Sequence, residues 1–291
     1  MKNSGPMKLI RDMKEMQKLA QSTHRQGRRI GFVPTMGALH QGHLSLMEHL
    51  RNKCDLLVVS IYVNPTQFAP GEDLEKYPRN LQEDLTKCED AGVDVVFAPP
   101  DRQMYPPGFS TYVNVEKLTE VLCGASRPLH FRGVTTVVAK LFNIVQPDVT
   151  VFGQKDYQQA IVIKRMVADL NWETEILVAP IVREADGLAM SSRNRYLSSE
   201  ERDSALMLFQ ALTRAYQKIK DGERSAEKLK QAMRQIITSS HQNRIDYISV
   251  VNGESLQEIE NIKGDTLLAV AVYVGQTRLI DNLLITNHDL T

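Results

Sequence analysis

The chain has 291 residues, with 35 Lys and Arg balanced by 35 Asp and Glu, so its formal net charge is zero. A chain of this length can bury a full core and hold two domains. Because it carries no basic surplus with which to hold a polyanion, its composition argues against a nucleic-acid-binding protein.

The cysteines and the apolar runs indicate the cellular setting. Three cysteines lie far apart and form no Cys-x-x-Cys pair, which predicts reduced, structural thiols: Cys54, Cys88 and Cys123. No apolar run is long enough for a signal peptide or a membrane span. We therefore expect a cytoplasmic protein with no membrane partner.

Strand-like runs alternate with amphipathic helical patterns through the first two thirds of the chain. The runs typical of strands are 30–33, 56–63, 93–97, 149–152 and 175–178, and the helical patterns between them include 43–52, 81–91, 133–145 and 157–170. This alternation predicts an α/β fold built on a doubly wound parallel, Rossmann-like sheet. Right-handed crossovers would place helices on both faces of that sheet.

The pattern changes after Pro180. A capping box at 198–201 predicts a long helix that ends near residue 220, and a second helix should span 225–239. Alternating residues then predict strands at 246–251, 266–274 and 278–280. These elements predict a second, smaller α+β domain, and we expect domains at 1–181 and 182–291.

Two histidines lie between the predicted strand 30–33 and the predicted helix 43–52, in the tetrapeptide 40–43, His-Gln-Gly-His. A helix amino end offers backbone N–H groups and partial positive charge, which suit a polyphosphate. Gly37 and Gly42 remove side chains where backbone must approach a ligand, and His40 and His43 can donate to phosphate oxygens from one helix face. The sequence therefore predicts a phosphate site beyond the carboxyl end of this strand.

Two other interpretations of the histidine pair stay open at this point. It could be half of a zinc site, although no cysteine lies nearby and the spacing suggests no third ligand. The histidines could also be ordinary helix-end residues. No Gly-x-Gly-x-x-Gly and no Gly-x-x-x-x-Gly-Lys-Ser/Thr motif occurs, so neither a dehydrogenase nor a P-loop kinase is indicated.

Four ordered blocks extend the pattern around the histidines. They are 34–40 (Pro-Thr-Met-Gly-Ala-Leu-His), 60–68 (Ser-Ile-Tyr-Val-Asn-Pro-Thr-Gln-Phe), 153–159 (Gly-Gln-Lys-Asp-Tyr-Gln-Gln) and 183–194 (Arg-Glu-Ala-Asp-Gly-Leu-Ala-Met-Ser-Ser-Arg-Asn). Together they resemble the pantothenate synthetase family of the His-x-Gly-His nucleotidyltransferase superfamily. The tail adds one more similar block, 278–282 (Arg-Leu-Ile-Asp-Asn), and Gln154 stands where the family more often has Glu.

The resemblance implies an ATP site with His40, His43 and Lys155 as catalytic residues. The residues that it places at ATP are Pro34, Thr35, Met36, Gly37, His40, Gly42, His43, Gly153, Lys155, Asp156, Val182, Met190, Ser191, Ser192 and Arg193. The Ser-Ser-Arg loop, carried by the smaller domain, is expected to close over the β- and γ-phosphates. Asp156 is expected to accept both ribose hydroxyls, with a helix N-cap as its local alternative.

The resemblance also implies a pantoate site. Gln67 and Gln159 are expected to bind pantoate, and Asn64 to bind the same region or to order its loop. Arg127 and His130 resemble the family's substrate-side loop. Asp84 is a candidate magnesium ligand, with an exposed helix carboxylate as the alternative.

The implied reaction has two steps. Pantoate and ATP would give pantoyl adenylate and pyrophosphate, after which the amine of β-alanine would release pantothenate and AMP. The implied requirements are ATP as substrate, Mg²⁺, and a homodimer formed through the first domain. Two other hypotheses are an adenylyl- or cytidylyltransferase with a different acceptor, and a nucleotide-binding sensor that has lost turnover.

Overall fold

The computed structural model describes residues 5–290. Its larger sheet is fully parallel and has six strands in the order β1-β4-β3-β2-β5-β6. The strands are β1 (Lys8–Ile10), β2 (Ile30–Thr35), β3 (Leu56–Ile61), β4 (Val95–Phe97), β5 (Val149–Gly153) and β6 (Glu175–Ala179). All five strands predicted for this sheet are confirmed. Strand β1 was not predicted, because it is a three-residue edge strand whose first two residues are exposed.

Seven helices of this part of the chain are α1 (Met13–Arg25), α2 (Gln41–Arg51), α3 (Leu81–Asp90), α4 (Asp101–Met104), α5 (Cys123–Ser126), α6 (His130–Val145) and α7 (Tyr157–Asp169). Helix α1 was not predicted either, although its signal is present in the sequence. Asp12 caps the helix, and its buried residues Met16, Ala20 and Thr23 recur at helical spacing.

Helices cover both faces of the parallel sheet. Phe32 and Val33 are neighbours on β2, so their side chains point to opposite faces. Phe32 packs edge-on against Phe142 of α6, with ring centroids 6.3 Å apart, whereas Val33 belongs to a buried cluster that contains Met47 of α2. The predicted doubly wound, Rossmann-like architecture is therefore confirmed.

The order of the strands marks one edge of this sheet as a ligand site. From β2 the chain proceeds through β3 to β4 on one side, and it then returns to place β5 and β6 on the other side of β2. Open parallel sheets bind ligands outside the carboxyl ends of their strands, where the winding direction reverses. Since β2 ends at Thr35, the residues that follow it leave the sheet at this switch point.

The smaller sheet is antiparallel in the order β7-β8-β9, with β7 (Asn243–Asn252), β8 (Thr266–Val274) and β9 (Thr277–Ile285). Apolar residues of this sheet form one core with α8 (Ser199–Lys220) and α9 (Ala226–Ile237). Ser198 and Glu201 form the predicted capping box. The predicted strand 278–280 is too short, because the buried polar pair Asp281 and Asn282 interrupts the apolar pattern of β9.

The chain divides into two compact units. The first unit comprises the chain up to Glu116, Arg127–Gly153 and Gln159–Pro180, and the second comprises Lys117–Ser126, Gln154–Gln158 and the chain from Ile181 onward. Both inner segments of the second unit fall within the predicted domain 1–181.

Long-range hydrogen bonds explain why the inner segments belong to the second unit. Gln158 accepts from the backbone N–H of Cys123 at 3.0 Å and donates to the carbonyl of Val121 at 2.7 Å. The hydroxyl of Tyr157 donates to the carbonyl of Gly253 at 3.0 Å. Within residues 5–290, no helix is both long and apolar enough to cross a membrane.

Candidate active site

The rings of His40 and His43 both accept hydrogen bonds from the backbone at the amino end of α2. His40 is the N-cap, and its Nδ1 accepts from the backbone N–H of Gly42 at 3.1 Å. The Nδ1 of His43 accepts from the backbone N–H of His40 at 3.3 Å, and the two ring centroids lie 4.1 Å apart. Because each Nδ1 is an acceptor, each neutral ring carries its proton on Nε2. The turn thus has two Nε2–H donors beside the backbone N–H groups of a helix amino end.

Asp84 of α3 holds the backbone that leads into this turn. Its two carboxylate oxygens accept from the backbone N–H groups of Ala38 at 2.9 Å and Leu39 at 2.8 Å. The side chain is only 2 % exposed, so the interpretation as an exposed carboxylate is wrong. Burial raises the pKa of this carboxyl group, against the lowering effect of the two backbone hydrogen bonds.

Gly37 fits closely against the same carboxylate. Its φ of +80° lies in the left-handed region, and a Cβ at this position would lie 2.8 Å from the Oδ2 of Asp84. The residue type at 37 is therefore set by both the backbone conformation and the close approach of Asp84.

The described residues contain no group of three or more His, Cys, Asp or Glu that could hold a metal ion. This finding gives no support to the zinc interpretation of His40 and His43. Both oxygens of Asp84 are already bonded to backbone N–H groups, which supports a structural role for this residue. Its role as a magnesium ligand stays a prediction.

Asn64 and Gln67 lie together where β3 ends. Asn64 caps the 3-10 turn Pro65–Gln67, and its Nδ2 donates to the Oε1 of Gln67 and to the carbonyl of Gly133, both at 3.1 Å. The Nε2 of Gln67 lies 2.9 Å from the Sδ of Met36, in the segment that follows β2. Both side chains are buried, at 1 % exposure for Asn64 and 9 % for Gln67.

Arg127 and His130 hold the backbone of Gln67. Its carbonyl lies 3.3 Å from the Nη2 of Arg127, which donates to it, and 2.9 Å from the Nδ1 of His130. Arg127 also forms a bidentate pair with Glu72, at 2.7 and 2.6 Å. Burial alone would raise the pKa of Glu72, but the hydrogen bonds and charge of Arg127 bring it below its usual range. Gln159 lies in the first turn of α7 and is half-buried.

Lys155 and Asp156 belong to the second unit and lie in the 3-10 turn Gln154–Asp156. The Nζ of Lys155 is 3.9 Å from the Oδ2 of Asp156, with the two side chains 22 % and 51 % exposed. Asn282 of β9 donates to the carbonyls of Gln154 and Lys155, both at 2.9 Å. The turn that carries Lys155 is therefore fastened to the smaller sheet.

The Ser-Ser-Arg loop is ordered within the same unit. Ser191 caps the 3-10 turn Ser192–Tyr196 by accepting from the backbone N–H of Arg193 at 3.2 Å. The backbone N–H of Met190 donates to the carbonyl of Val182 at 3.0 Å. Lys155 and Ser191 both line one small pocket, so the structure brings together these two predicted ATP residues.

The sequence analysis missed the residues that brace this loop. Arg183 forms a bidentate pair with Asp281 at 2.7 and 3.0 Å, and it also donates to the carbonyl of Gly187 at 3.0 Å. Asn194 donates to Glu184 at 2.6 Å. The block 278–282, which contains Asp281, was the available signal in the sequence. The sequence alone did not identify Arg183 as the partner of Asp281.

Asp84→Asn should lower the free energy of unfolding by about 1–3 kcal/mol, because an amide NH₂ would replace one of two acceptors facing backbone N–H groups. Denaturant unfolding in buffer containing a chelator measures this. The matched control is Glu83→Gln on the same helix, whose carboxylate is half exposed and pairs with Lys87. Its effect should stay within ~0.5 kcal/mol. Unchanged stability of the Asp84 variant would contradict the structural role and favour the role of Asp84 as a magnesium ligand.

Gly133→Ala should displace the turn that carries Gln67. A Cβ on Gly133 would press against the carbonyl of Thr66 and lie 2.6 Å from both N and Cα of Gln67. Helix propensity alone would make alanine more stable by about 0.5–1 kcal/mol. We expect overpacking to reverse this sign, with a net loss of ~1–3 kcal/mol in denaturant unfolding. A more stable variant would show that no such clash occurs.

Comparisons with known proteins agree over almost the full chain. Residues 8–284 match the protein family described as Pantoate-beta-alanine ligase. The pantothenate synthetase of Heliobacterium modesticaldum is 56 % identical over 279 residues, which cover 96 % of this chain and 99 % of that protein.

Two solved structures extend the similarity to the fold. A crystal structure of the pantothenate synthetase of Thermus thermophilus is 44 % identical, has a TM-score of 0.91, and covers 95 % of this chain and 99 % of that one. The pantoate-beta-alanine ligase of Francisella tularensis, solved in complex with Beta-gamma ATP and β-alanine, is 34 % identical with a TM-score of 0.78 and coverage of 96 % and 97 %. The chain therefore belongs to the pantoate–β-alanine ligase family.

Proposed function

We propose that this chain joins pantoate to β-alanine at the expense of ATP, through a pantoyl adenylate that β-alanine then converts to pantothenate and AMP. The observation that carries the proposal is that the Nδ1 atoms of His40 and His43 both accept from backbone N–H groups, which places the ring protons on Nε2 at the amino end of α2. The Francisella ligase complex supports ATP and β-alanine as ligands.

The first step needs charge neutralisation more than a general base. The carboxylate of pantoate, with a pKa near ~4, is already an anionic nucleophile at neutral pH. The enzyme must align it with the α-phosphorus of ATP and stabilise the charge that moves onto pyrophosphate. We assign this stabilisation to His40, His43 and Lys155. The amino end of α2 contributes its backbone N–H groups.

The second unit supplies hydroxyl and guanidinium groups suited to phosphates. We propose that Ser191, Ser192 and Arg193 bind the β- and γ-phosphates. Their loop is capped and braced by hydrogen bonds of its own unit, so little ordering remains when ATP binds. Asp156, about half exposed, is assigned to the ribose hydroxyls.

Pantoate offers a carboxylate and two hydroxyls, and side-chain amides can serve these as both donors and acceptors. We propose that Gln67 and Gln159 bind pantoate and that Asn64 orients Gln67. The 3.1 Å bond from the Nδ2 of Asn64 to the Oε1 of Gln67 supports these two roles, because it fixes the positions of the accepting oxygen and of the donating NH₂ group of Gln67. Arg127 and His130 then act on pantoate through the backbone of Gln67.

The second step needs β-alanine as a free amine, whereas the amine in water is mostly an ammonium ion. We propose that the site selects the neutral amine, or that a phosphate oxygen or water accepts the proton. A variant of one ionisable side chain that loses only the second step would overturn this proposal.

Magnesium, subunit assembly and cellular location are further parts of the proposal. We propose that Mg²⁺ enters the site with the phosphates of ATP. We also propose a cytoplasmic homodimer formed through the first unit. Light scattering coupled to gel filtration tests the dimer.

The function is tested with purified protein, ATP, Mg²⁺ and pantoate, with and without β-alanine, followed by mass spectrometry. We expect AMP and pantothenate in equal amounts, each dependent on both substrates. AMP formation that requires a different acceptor would favour another nucleotidyltransferase. ATP binding without AMP in either mixture would favour a nucleotide sensor.

His43→Ala should slow adenylate formation by ~10²-fold or more, because a preorganised donor to the phosphates is lost. His43→Gln separates this effect from helix capping, since glutamine at this position can still reach the N-cap N–H. It should fold normally and still be slow. The matched control is His49→Ala, on the exposed side of the same helix, which should turn over at the wild-type rate. A wild-type rate in both His43 variants would exclude the phosphate role.

A further inference from the structure

The similar block 278–282 has no role in the reaction so far. It lies on β9, an edge strand of the smaller sheet, where successive side chains point to opposite faces. Leu279 and Leu283 face the core shared with α8 and α9. Asn282 therefore points to the other face, where it is 4 % exposed and holds the turn that carries Lys155.

A single side-chain amide of Asn282 fixes both peptide groups that flank Lys155. Its Nδ2 donates at 2.9 Å to the carbonyl of Gln154, which precedes the Cα of Lys155, and at 2.9 Å to the carbonyl of Lys155 itself. Two carbonyl acceptors on one side of the amide require the NH₂ group there. When both peptide planes are held, the direction of the Cα–Cβ bond of Lys155 is set as well.

The neighbouring residue performs a similar task on the opposite face of β9. Asp281 is 3 % exposed, and its bidentate pair with Arg183 braces the loop that ends in Ser191. Its Oδ1 also accepts from the backbone N–H of Asn282 at 2.8 Å. Asp281 lines the small pocket that Lys155 and Ser191 share.

We propose that Asn282 is a positioning residue that aims Lys155 at the phosphates of ATP during adenylate formation. The inference rests on the proposed role of Lys155. The effect of Asn282 should be confined to the turn of Lys155, because the hydroxyl of Tyr157 independently fastens the start of α7 to the carbonyl of Gly253.

The test is Asn282→Asp, which keeps the shape of the side chain but turns an oxygen toward two carbonyl oxygens. We expect adenylate formation from ATP and pantoate to slow by ~10- to 100-fold, since a misplaced catalytic group costs about that much. The reaction of preformed pantoyl adenylate with β-alanine should keep its rate, because no pyrophosphate leaves in that step. Equal loss in both steps, or no loss in the first, would overturn the inference.

The matched control is Asn243→Asp in the same unit. The Nδ2 of Asn243 also donates to two backbone carbonyls, those of Ser204 at 3.0 Å and Ile237 at 3.1 Å, but these belong to the helical layer. This variant should lose stability in thermal unfolding and keep adenylate formation within ~2-fold of wild type, because the bonds it breaks do not hold a catalytic group. An equal loss of rate in both variants would show that Asn282→Asp acts through a general loss of structure, and it would overturn the inference.

A double-mutant cycle with Lys155→Gln separates positioning from general damage, with single-turnover measurements at high enzyme concentration. If Asn282 acts through Lys155, then Asn282→Asp should change the rate less than ~3-fold once Lys155 is gone. The same factor in both backgrounds would overturn the inference.

The rate of Lys155→Gln distinguishes a failure of the inference from a failure of the proposed role of Lys155. A wild-type rate in Lys155→Gln would overturn the proposed role of Lys155 itself, whereas a slow Lys155→Gln with a fast Asn282→Asp would overturn only the inference. If Asn282→Asp does not fold, Asn282→Ala removes the donor without repulsion, and it should show the same step selectivity and the same cycle.

Discussion

The hydrogen bonds that the rings of His40 and His43 accept from the backbone are the interaction on which the chemistry proposed for the first unit depends. Each Nδ1 is occupied by a backbone N–H, so the ring proton of each neutral histidine lies on Nε2. A helix amino end normally needs a side-chain acceptor as its cap, and here the caps are the catalytic candidates themselves. One arrangement therefore begins the helix and sets the tautomer of both rings.

Buried polar side chains that bind backbone groups lie beside three of the candidate residues, His40, Gln67 and Lys155. Asp84 accepts from the backbone before His40, Asn64 donates to the backbone of α6 and to Gln67, and Asn282 donates to the turn of Lys155. Each is less than 5 % exposed. A buried polar group is costly unless it is bonded, so its partners are strongly fixed in place. Such anchors give loops the rigidity that precise placement of a ligand requires.

Most elements whose signal is local were predicted from the sequence, although α1 was missed. Periodicity located β2 and α2, and the capping box located α8, because each pattern is complete within a few residues. The extent of β9 was missed because Asp281 and Asn282 are buried by partners far away in the chain, which no local pattern reveals. For the same reason the segment Gln154–Gln158 was assigned to the first domain, although its bonds fasten it to the second unit.

The side chain of Gln154 contacts the other end of the same anchor. The Nδ2 of Asn282 is committed to two carbonyls, so its Oδ1 faces the side chain of residue 154, whose Nε2 lies 3.4 Å away. A carboxylate at this position would place two acceptors against each other, whereas glutamine supplies a weak donor. Gln154 is therefore matched to Asn282 as the chain stands. Because the bonds that hold Lys155 come from the Nδ2 end of the Asn282 amide, a neutral side chain at 154 is compatible with the placement of Lys155.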